Sequence, residues 1–189
     1  GTVAARTALA LGAQVKIFDH DITKLRKIQH YLGQQVFTSV IHPAVLFKAL
    51  ASADAVIGNL RYINGSERFM ISEELVKTMK PGAVIIDLSV DQGGCFETSK
   101  CRTLKNPTYE KYGVIHYCVP NISARVARTT SMALSNIFAP ILLKIGLSGS
   151  VKVAIAESSG FRNGAYVYGG VLVNRLIGSY YNITSNDIG

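Results

Sequence analysis

The feature that most constrains this chain is a series of short apolar runs, most of which give way to a polar residue or a glycine, with helix-patterned stretches between them. The runs are Gln14–Asp19, Gln35–Val40, Asp54–Gly58, Ala83–Asp87 and Val114–Val119. Between them lie a helix from an Asp21 N-cap to about Gly33, a second from Pro43 to Ala53, and a third from Ser72 to Met79 that is closed by a Lys80-Pro81-Gly82 turn. Strands separated by helices need crossover connections and pair in parallel, with both faces of the sheet covered. The expected fold class is therefore α/β, a doubly wound parallel sheet, and ligands of such sheets bind at the carboxyl ends of the strands. Asp19, Gly58, Asp91 and Asn121 fall on that edge.

The richest stretch follows the fourth run. Asp87-Leu88-Ser89-Val90-Asp91-Gln92-Gly93-Gly94-Cys95-Phe96-Glu97-Thr98-Ser99 brings carboxylates, an amide and adjacent glycines to a strand end. Asp91 is the first candidate for chemistry, although Asp, Gln and a Gly pair also make an ordinary polar turn. No lysine follows Gly93-Gly94 at P-loop spacing, so phosphate cleavage is disfavoured. His116 reads as a strand residue with its polar tip satisfied, His20 as a solvated strand end, and Ser131, lacking a GxSxG elbow, as a helix residue rather than a nucleophile.

Composition excludes several classes. With 189 residues, 48% of them hydrophobic and 17% charged, the chain can bury a core. No apolar run approaches the ~20 residues of a membrane span and no signal-peptide pattern is present, so a cytoplasmic protein without a membrane partner is expected. The net charge of +8 is spread singly apart from Lys24-Leu25-Arg26-Lys27, which argues against nucleic acid and suits a small polyanion such as a dinucleotide. Cys95, Cys101 and Cys118 form no CxxC pair, so neither a disulfide framework nor a metal site is expected.

The first residues fit that polyanion. Gly1 to Ala13 reads as a small-residue helix ended by Gly12, and a strand then ends at Asp19. This resembles the second half of a dinucleotide-binding βαβ unit, in which the last glycine of GxGxxG precedes an acid by roughly 20 residues. Gly1 and Asp19 stand at about that spacing, and the first strand and first two glycines would precede Gly1. A strand-ending Asp is equally a common helix cap or turn former.

Beyond Asn121 the patterning becomes helical. A long helix is expected from Ser123 to about Ile145, kinked by Pro140 and ended by Gly146. A short helix over Val151–Glu157, a turn at Asn163-Gly164, a hairpin over Tyr166–Val173 with a Gly169-Gly170 loop, and a helix over Asn174–Tyr181 complete the reading.

The run Asp91 to Ser99, with His116-Tyr117-Cys118-Val119-Pro120-Asn121 and Arg128-Thr129-Thr130-Ser131-Met132-Ala133-Leu134-Ser135-Asn136, resembles the alanine dehydrogenase family. The nucleotide-binding subunit of proton-translocating transhydrogenase is similar in the first half. It has a differently spaced sequence after its strand, and the uninterrupted Asp-Gln-Gly-Gly-Cys favours the dehydrogenase. The resemblance implies a Rossmann domain over residues 1–122 whose first strand is missing. Residues 123–189 would be a bridging helix and the return into a substrate domain, with contacts in a homo-oligomer. It implies NAD as cofactor and interconversion of L-alanine with pyruvate and ammonia. Asp91 would be the catalytic carboxylate. Gly1, Asp19, Lys24, Leu60, Arg61, Leu88, Ser89, Val90, Asp91, Lys100, Val119, Pro120, Asn121 and Ile122 would meet the cofactor. The family's catalytic His and Lys belong to the amino-terminal substrate domain, so the chain alone is expected to be inactive. Lys100 and Ile122 stand where the family commonly has Arg and Met, and Ile41 where it often has Ser. Asp19, with no arginine directly after it, favours NAD over NADP. The alternatives are a transhydrogenase nucleotide-binding subunit and a non-catalytic dinucleotide-binding domain.

Overall fold

The structure, a computed structural model, describes residues 1–60 and 71–186. The loop expected from Asn59 to Met70 therefore lies largely outside the described residues. The chain forms two compact units, Gly1–Ile122 and Ser123–Gly189.

In the first unit the order is α1 (Thr2–Ala10), β1 (Lys16–Asp19), α2 (Ile22–Leu32), β2 (Phe37–Val40), α3 (Pro43–Ser52), β3 (Ala55–Gly58), α4 (Glu73–Val76), β4 (Val84–Asp87), β5 (Thr108–Lys111) and β6 (Val114–Tyr117). Local chemistry sets the boundaries. Asp21 caps α2 by accepting the Thr23 N–H at 2.8 Å, Gly33 ends it in the left-handed region, and Pro43 opens α3 where no helical N–H is required.

The strands form two parallel pieces. β1 pairs with β2, and β3-β4-β6-β5 make a four-stranded sheet in which β3, β4 and β6 run parallel. The fold is thus α/β and Rossmann-like, as expected. The sequence reading missed β5, which joins the edge antiparallel to β6. Its residues, Thr108-Tyr109-Glu110-Lys111, have an alternating polar pattern suited to an edge strand with one wet face.

The core gathers around β4. Leu46 and Leu50 of α3, Ile71, Val76, Met79, Ala83, Ile85, Cys95, Phe96 and Val114 pack as one cluster. Ile85, Val76, Phe96 and Val114 are fully buried, and each such side chain contributes about 1.5–3 kcal/mol.

The second unit contains a 3-10 turn over Ile122–Val126 that begins at the unit boundary, then α5 (Ala127–Leu147), α6 (Val151–Glu157), α7 (Ser159–Gly164), the hairpin β7 (Val167–Tyr168) and β8 (Val171–Leu172), and α8 (Arg175–Tyr181). The Gly169-Gly170 hairpin is as expected. Four details differ. The expected Ser72–Met79 helix is regular only over Glu73–Val76, because Pro81 disfavours helix at Lys80 and the chain tightens into turns before it. The long helix starts at Ala127 and runs through Gly146 to Leu147. Asn163-Gly164 closes α7 instead of making an isolated turn, with the Ala165 N–H on the Arg162 carbonyl. Finally, helix over Ile122–Leu147 spans 26 residues and contains an 18-residue window with a mean hydropathy of 1.4, long and apolar enough to cross a membrane by length and composition. That corrects the expectation that no segment approaches such a span: Arg, Ser, Thr and Asn interrupt the apolar run in sequence without lowering its average far. Core helices of soluble proteins pass the same test when mostly buried, whereas none of this window is buried.

Candidate functional site

The site is built at the carboxyl ends of the parallel strands. Gly58 and Asp87 lie side by side in the β3–β4 register, and Ile86 lies beside Tyr117 across β4–β6. Three chain segments therefore leave the sheet together: Asn59-Leu60, Leu88 to Ser99, and Cys118 to Ile122. The Leu88 N–H donates to the Gly58 carbonyl at 2.8 Å, and Arg102 N–H to the Cys118 carbonyl at 2.9 Å, which ties the segments to one another.

The segment after β4 is held from several sides. Asp87 is 1% exposed, and its carboxylate accepts from Ser89 N–H at 2.9 Å, Cys95 N–H at 2.7 Å and Ser99 Oγ at 2.6 Å. Phe96 makes a parallel bridge to Ile71, with Ile71 N–H on the Cys95 carbonyl and Glu97 N–H on the Ile71 carbonyl. Two glycines permit the packing. A Cβ at Gly58 would stand 2.8 Å from Cys95 Cβ and Phe96 Cε2, and one at Gly94, whose φ is +81°, would stand 2.9 Å from Asp87 Oδ2.

Beneath the segment lies a second polar group. His116 is fully buried, with Nδ1 2.9 Å from the Val114 carbonyl and Nε2 2.8 Å from Thr98 Oγ1. Burial holds its pKa below the usual 6.5. The neutral ring donates through Nδ1, since a carbonyl can only accept, and Nε2 takes the Thr98 hydroxyl proton. This is the satisfied strand histidine read from the sequence. Tyr109 of β5 stacks on its ring at 4.8 Å, donates to the Thr98 carbonyl at 2.7 Å and accepts from Lys100 N–H at 2.8 Å. Burial raises the Tyr109 phenol and the Cys95 thiol, so both stay protonated at neutral pH.

Among the sequence-derived candidates, Asp91 lies in a 3-10 turn over Val90–Gln92 and is exposed. Leu88, Ser89 and Val90 share its segment, with Ser89 and Val90 buried. Val119 is buried, Pro120 is half-buried, and Asn121 (φ 53°) and Ile122 are exposed at the end of the β6 segment. Leu60 packs partly against the core, and Arg61 lies outside the described residues. Lys100 is exposed with its main chain fixed by Tyr109. Gly1 begins α1 close to Asn59: a Cβ there would lie 3.4 Å from Asn59 Nδ2. Asp19 ends β1 and Lys24 lies in α2; Asp19 Oδ1 accepts from Asp21 N–H at 2.9 Å and lies 3.9 Å from Lys24 Nζ. Asp87, Ser99, Thr98 and Tyr109 were not singled out from the sequence. The signal for Asp87 was present in the carboxylate directly preceding the glycine-containing segment. No group of three or more His, Cys, Asp or Glu residues suited to a metal occurs among the described residues.

Parallel strands alternating with helices, an acid ending β1 and a polar segment folded over the end of β4 define a fold of the Rossmann, nucleotide-binding type. Comparison with known proteins narrows the class. Residues 1–175 match the family described as alanine dehydrogenase/PNT, C-terminal domain, and the chain belongs to that family. Alanine dehydrogenase of Bacillus subtilis is 41% identical over 165 residues, covering 87% of this chain and 43% of that protein. A solved L-alanine dehydrogenase superposes with a TM-score of 0.85 at 33% identity, covering 96% of this chain and 50% of that one. The transhydrogenase of Sinorhizobium meliloti, at 23% identity and a TM-score of 0.68 over 93% of this chain and 47% of that one, shares the fold. The chain spans about half the length of the curated relatives it matches.

Proposed function

We propose that the protein carrying this chain interconverts L-alanine with pyruvate and ammonia, with NAD as hydride carrier. Residues 1–122 would form the dinucleotide-binding domain, and residues 123–189 the bridging helix and the return into a substrate domain. The observation that carries the reading is an exposed carboxylate, Asp91, at the tip of a segment anchored to the carboxyl end of β4, in a chain whose family match runs from residue 1 to residue 175.

The residues present fit the cofactor. Asp19 is 25% exposed, and both its Asp21 and Lys24 neighbours approach Oδ1, so Oδ2 has no hydrogen-bond partner among the described residues. A carboxylate oxygen so placed at the end of β1 suits the adenosine ribose hydroxyls. Gly1 lets the start of α1 come near Asn59 without a side chain between them. Lys24 and Lys100 supply positive charge, and Leu60, Arg61, Leu88 to Val90, and Val119 to Ile122 would surround the remainder.

NAD held by these residues would supply the acceptor for the hydride leaving the substrate's α-carbon. In the deamination direction L-alanine, NAD⁺ and water give pyruvate, ammonium, NADH and one proton. An exposed Asp91 carboxylate can accept a proton from the substrate ammonium or from the attacking water through a carboxylate oxygen. We further propose a homo-oligomer in the cytoplasm, with L-alanine and pyruvate as its small-molecule partners. The test is NADH production from L-alanine by the full-length protein, with NAD and with NADP. Turnover with NAD that falls at least about 100-fold in Asp91→Asn is the expected result. Binding of NADH without any turnover of alanine or pyruvate would sink the reading.

A further inference from the structure

Asp87 ends β4, an inner strand of its sheet, yet it has no access to a ligand, being 1% exposed. It is a buried carboxylate that the chemistry above does not use. Its two oxygens are divided between the two ends of the segment that carries Asp91. Oδ1 takes Ser89 N–H at 2.9 Å, just before the 3-10 turn. Oδ2 takes Cys95 N–H at 2.7 Å and Ser99 Oγ at 2.6 Å, beyond it. The backbone closes the same ring, with Gln92 N–H on the Ser89 carbonyl at 2.9 Å and Gly94 N–H on it at 3.0 Å. Asp91 is the exposed residue at the ring's tip.

Hydrogen bonds to an ionised acceptor are about twice as strong as neutral ones, and a single carboxylate with donors on both flanks fixes the separation of those flanks. We infer that Asp87 is a positioning residue for Asp91: its carboxylate clamps the two arms of the segment and so sets where the Asp91 carboxylate stands relative to substrate. The inference rests on the functional reading above. Gly94 belongs to the clamp, because a side chain there would meet Asp87 Oδ2 at 2.9 Å.

Asp87→Asn keeps the shape and breaks the clamp. An amide offers one acceptor oxygen, so whichever way it turns, its NH₂ faces either Ser89 N–H or Cys95 N–H, and one arm is released. The experiment is a double-mutant cycle in the full-length protein, Asp87→Asn with Asp91→Asn, reading kcat for L-alanine and the dissociation constant of NADH. Asp87→Asn should lower kcat roughly 10- to 100-fold in the wild-type background and leave NADH binding within about twofold. In the Asp91→Asn background it should lower kcat no further. Multiplicative losses, or parallel losses in kcat and NADH affinity, overturn the inference and leave a structural role. Should Asp87→Asn fail to fold, Ser99→Ala decides the same cycle with a smaller loss, roughly threefold. A loss that persists without the Asp91 carboxylate, or no loss at all, overturns the inference. A wild-type protein that does not turn over alanine removes the functional reading and this inference with it, whereas a failed cycle in an active enzyme removes this inference alone.

Discussion

Two strands of this protein end on aspartate, and the two residues have opposite fates. Asp19 closes β1 with its side chain 25% exposed, one main-chain hydrogen bond and a lysine at 3.9 Å. Asp87 closes β4 with its carboxylate enclosed and three donors on it. The following residues make the difference. After Asp19 the chain turns at once into a helix capped by Asp21, and among the described residues only the Asp21 N–H donates a hydrogen bond to it. After Asp87 the chain wanders through Gly93 and Gly94 and comes back at Cys95 and Ser99, delivering donors to the carboxylate. One acid keeps part of its side chain in solvent, and the other spends both oxygens on the segment that follows it. The lesson is that a strand-terminal carboxylate takes its role from the length of chain that follows before the next helix.

Removing the enclosed acid should have the largest effect. Asp87→Ala leaves Ser89 N–H, Cys95 N–H and Ser99 Oγ–H without their acceptor in a dry site, at a cost of about 3–5 kcal/mol. For a chain of this size the melting temperature should fall by roughly 10 °C, and a change under about 2 °C would break the contrast. A smaller effect tests the second anchor of the same segment, the neutral His116 that receives the Thr98 hydroxyl. Its folded pKa is depressed by burial below 6.5, so the unfolded chain binds more protons just below pH 6.5. Its contribution to stability is therefore complete above that pH and is lost as the pH falls toward the folded value. Stability should therefore fall measurably between pH 7.5 and pH 5.5. His116→Gln should flatten that part of the curve in thermal melts at pH 7.5 and 5.5, and an unaltered pH dependence would contradict the assignment. The smallest stability effect belongs to the open acid. Asp19→Asn should change stability by less than about 0.5 kcal/mol while weakening NADH binding roughly tenfold. The reverse pattern, a stability loss larger than the binding loss, would show that Asp19 too is structural.

Much of the fold was legible because its signals are local. The Asp21 cap, the Pro43 start of α3, the apolar β4 and the Gly169-Gly170 hairpin each follow from residue chemistry within a few positions. What was not legible has two causes. β5 is polar and charged, so its sequence lacks the apolar run that marks the other strands, although its partner β6 is local, across the two-residue Tyr112-Gly113 turn with positive φ at both residues. The Ser72–Met79 helix was read too long because helical periodicity alone does not register the reach of Pro81. At the site, Asp91 was legible as a polar residue beyond a buried strand. The enclosure of Asp87 was not, since it requires Ser99 to fold back onto a strand end that precedes it by twelve positions.

The clamp on Asp87 also bears on how this protein breathes. Loops usually open independently of the core, and their amides exchange with solvent far faster than those of strands. The Ser89 and Cys95 amides sit in a stretch with almost no regular structure, yet both are tied to a buried carboxylate on an inner strand. Their exchange should be governed by the opening of the sheet itself, so the segment presenting Asp91 melts with the core and not before it.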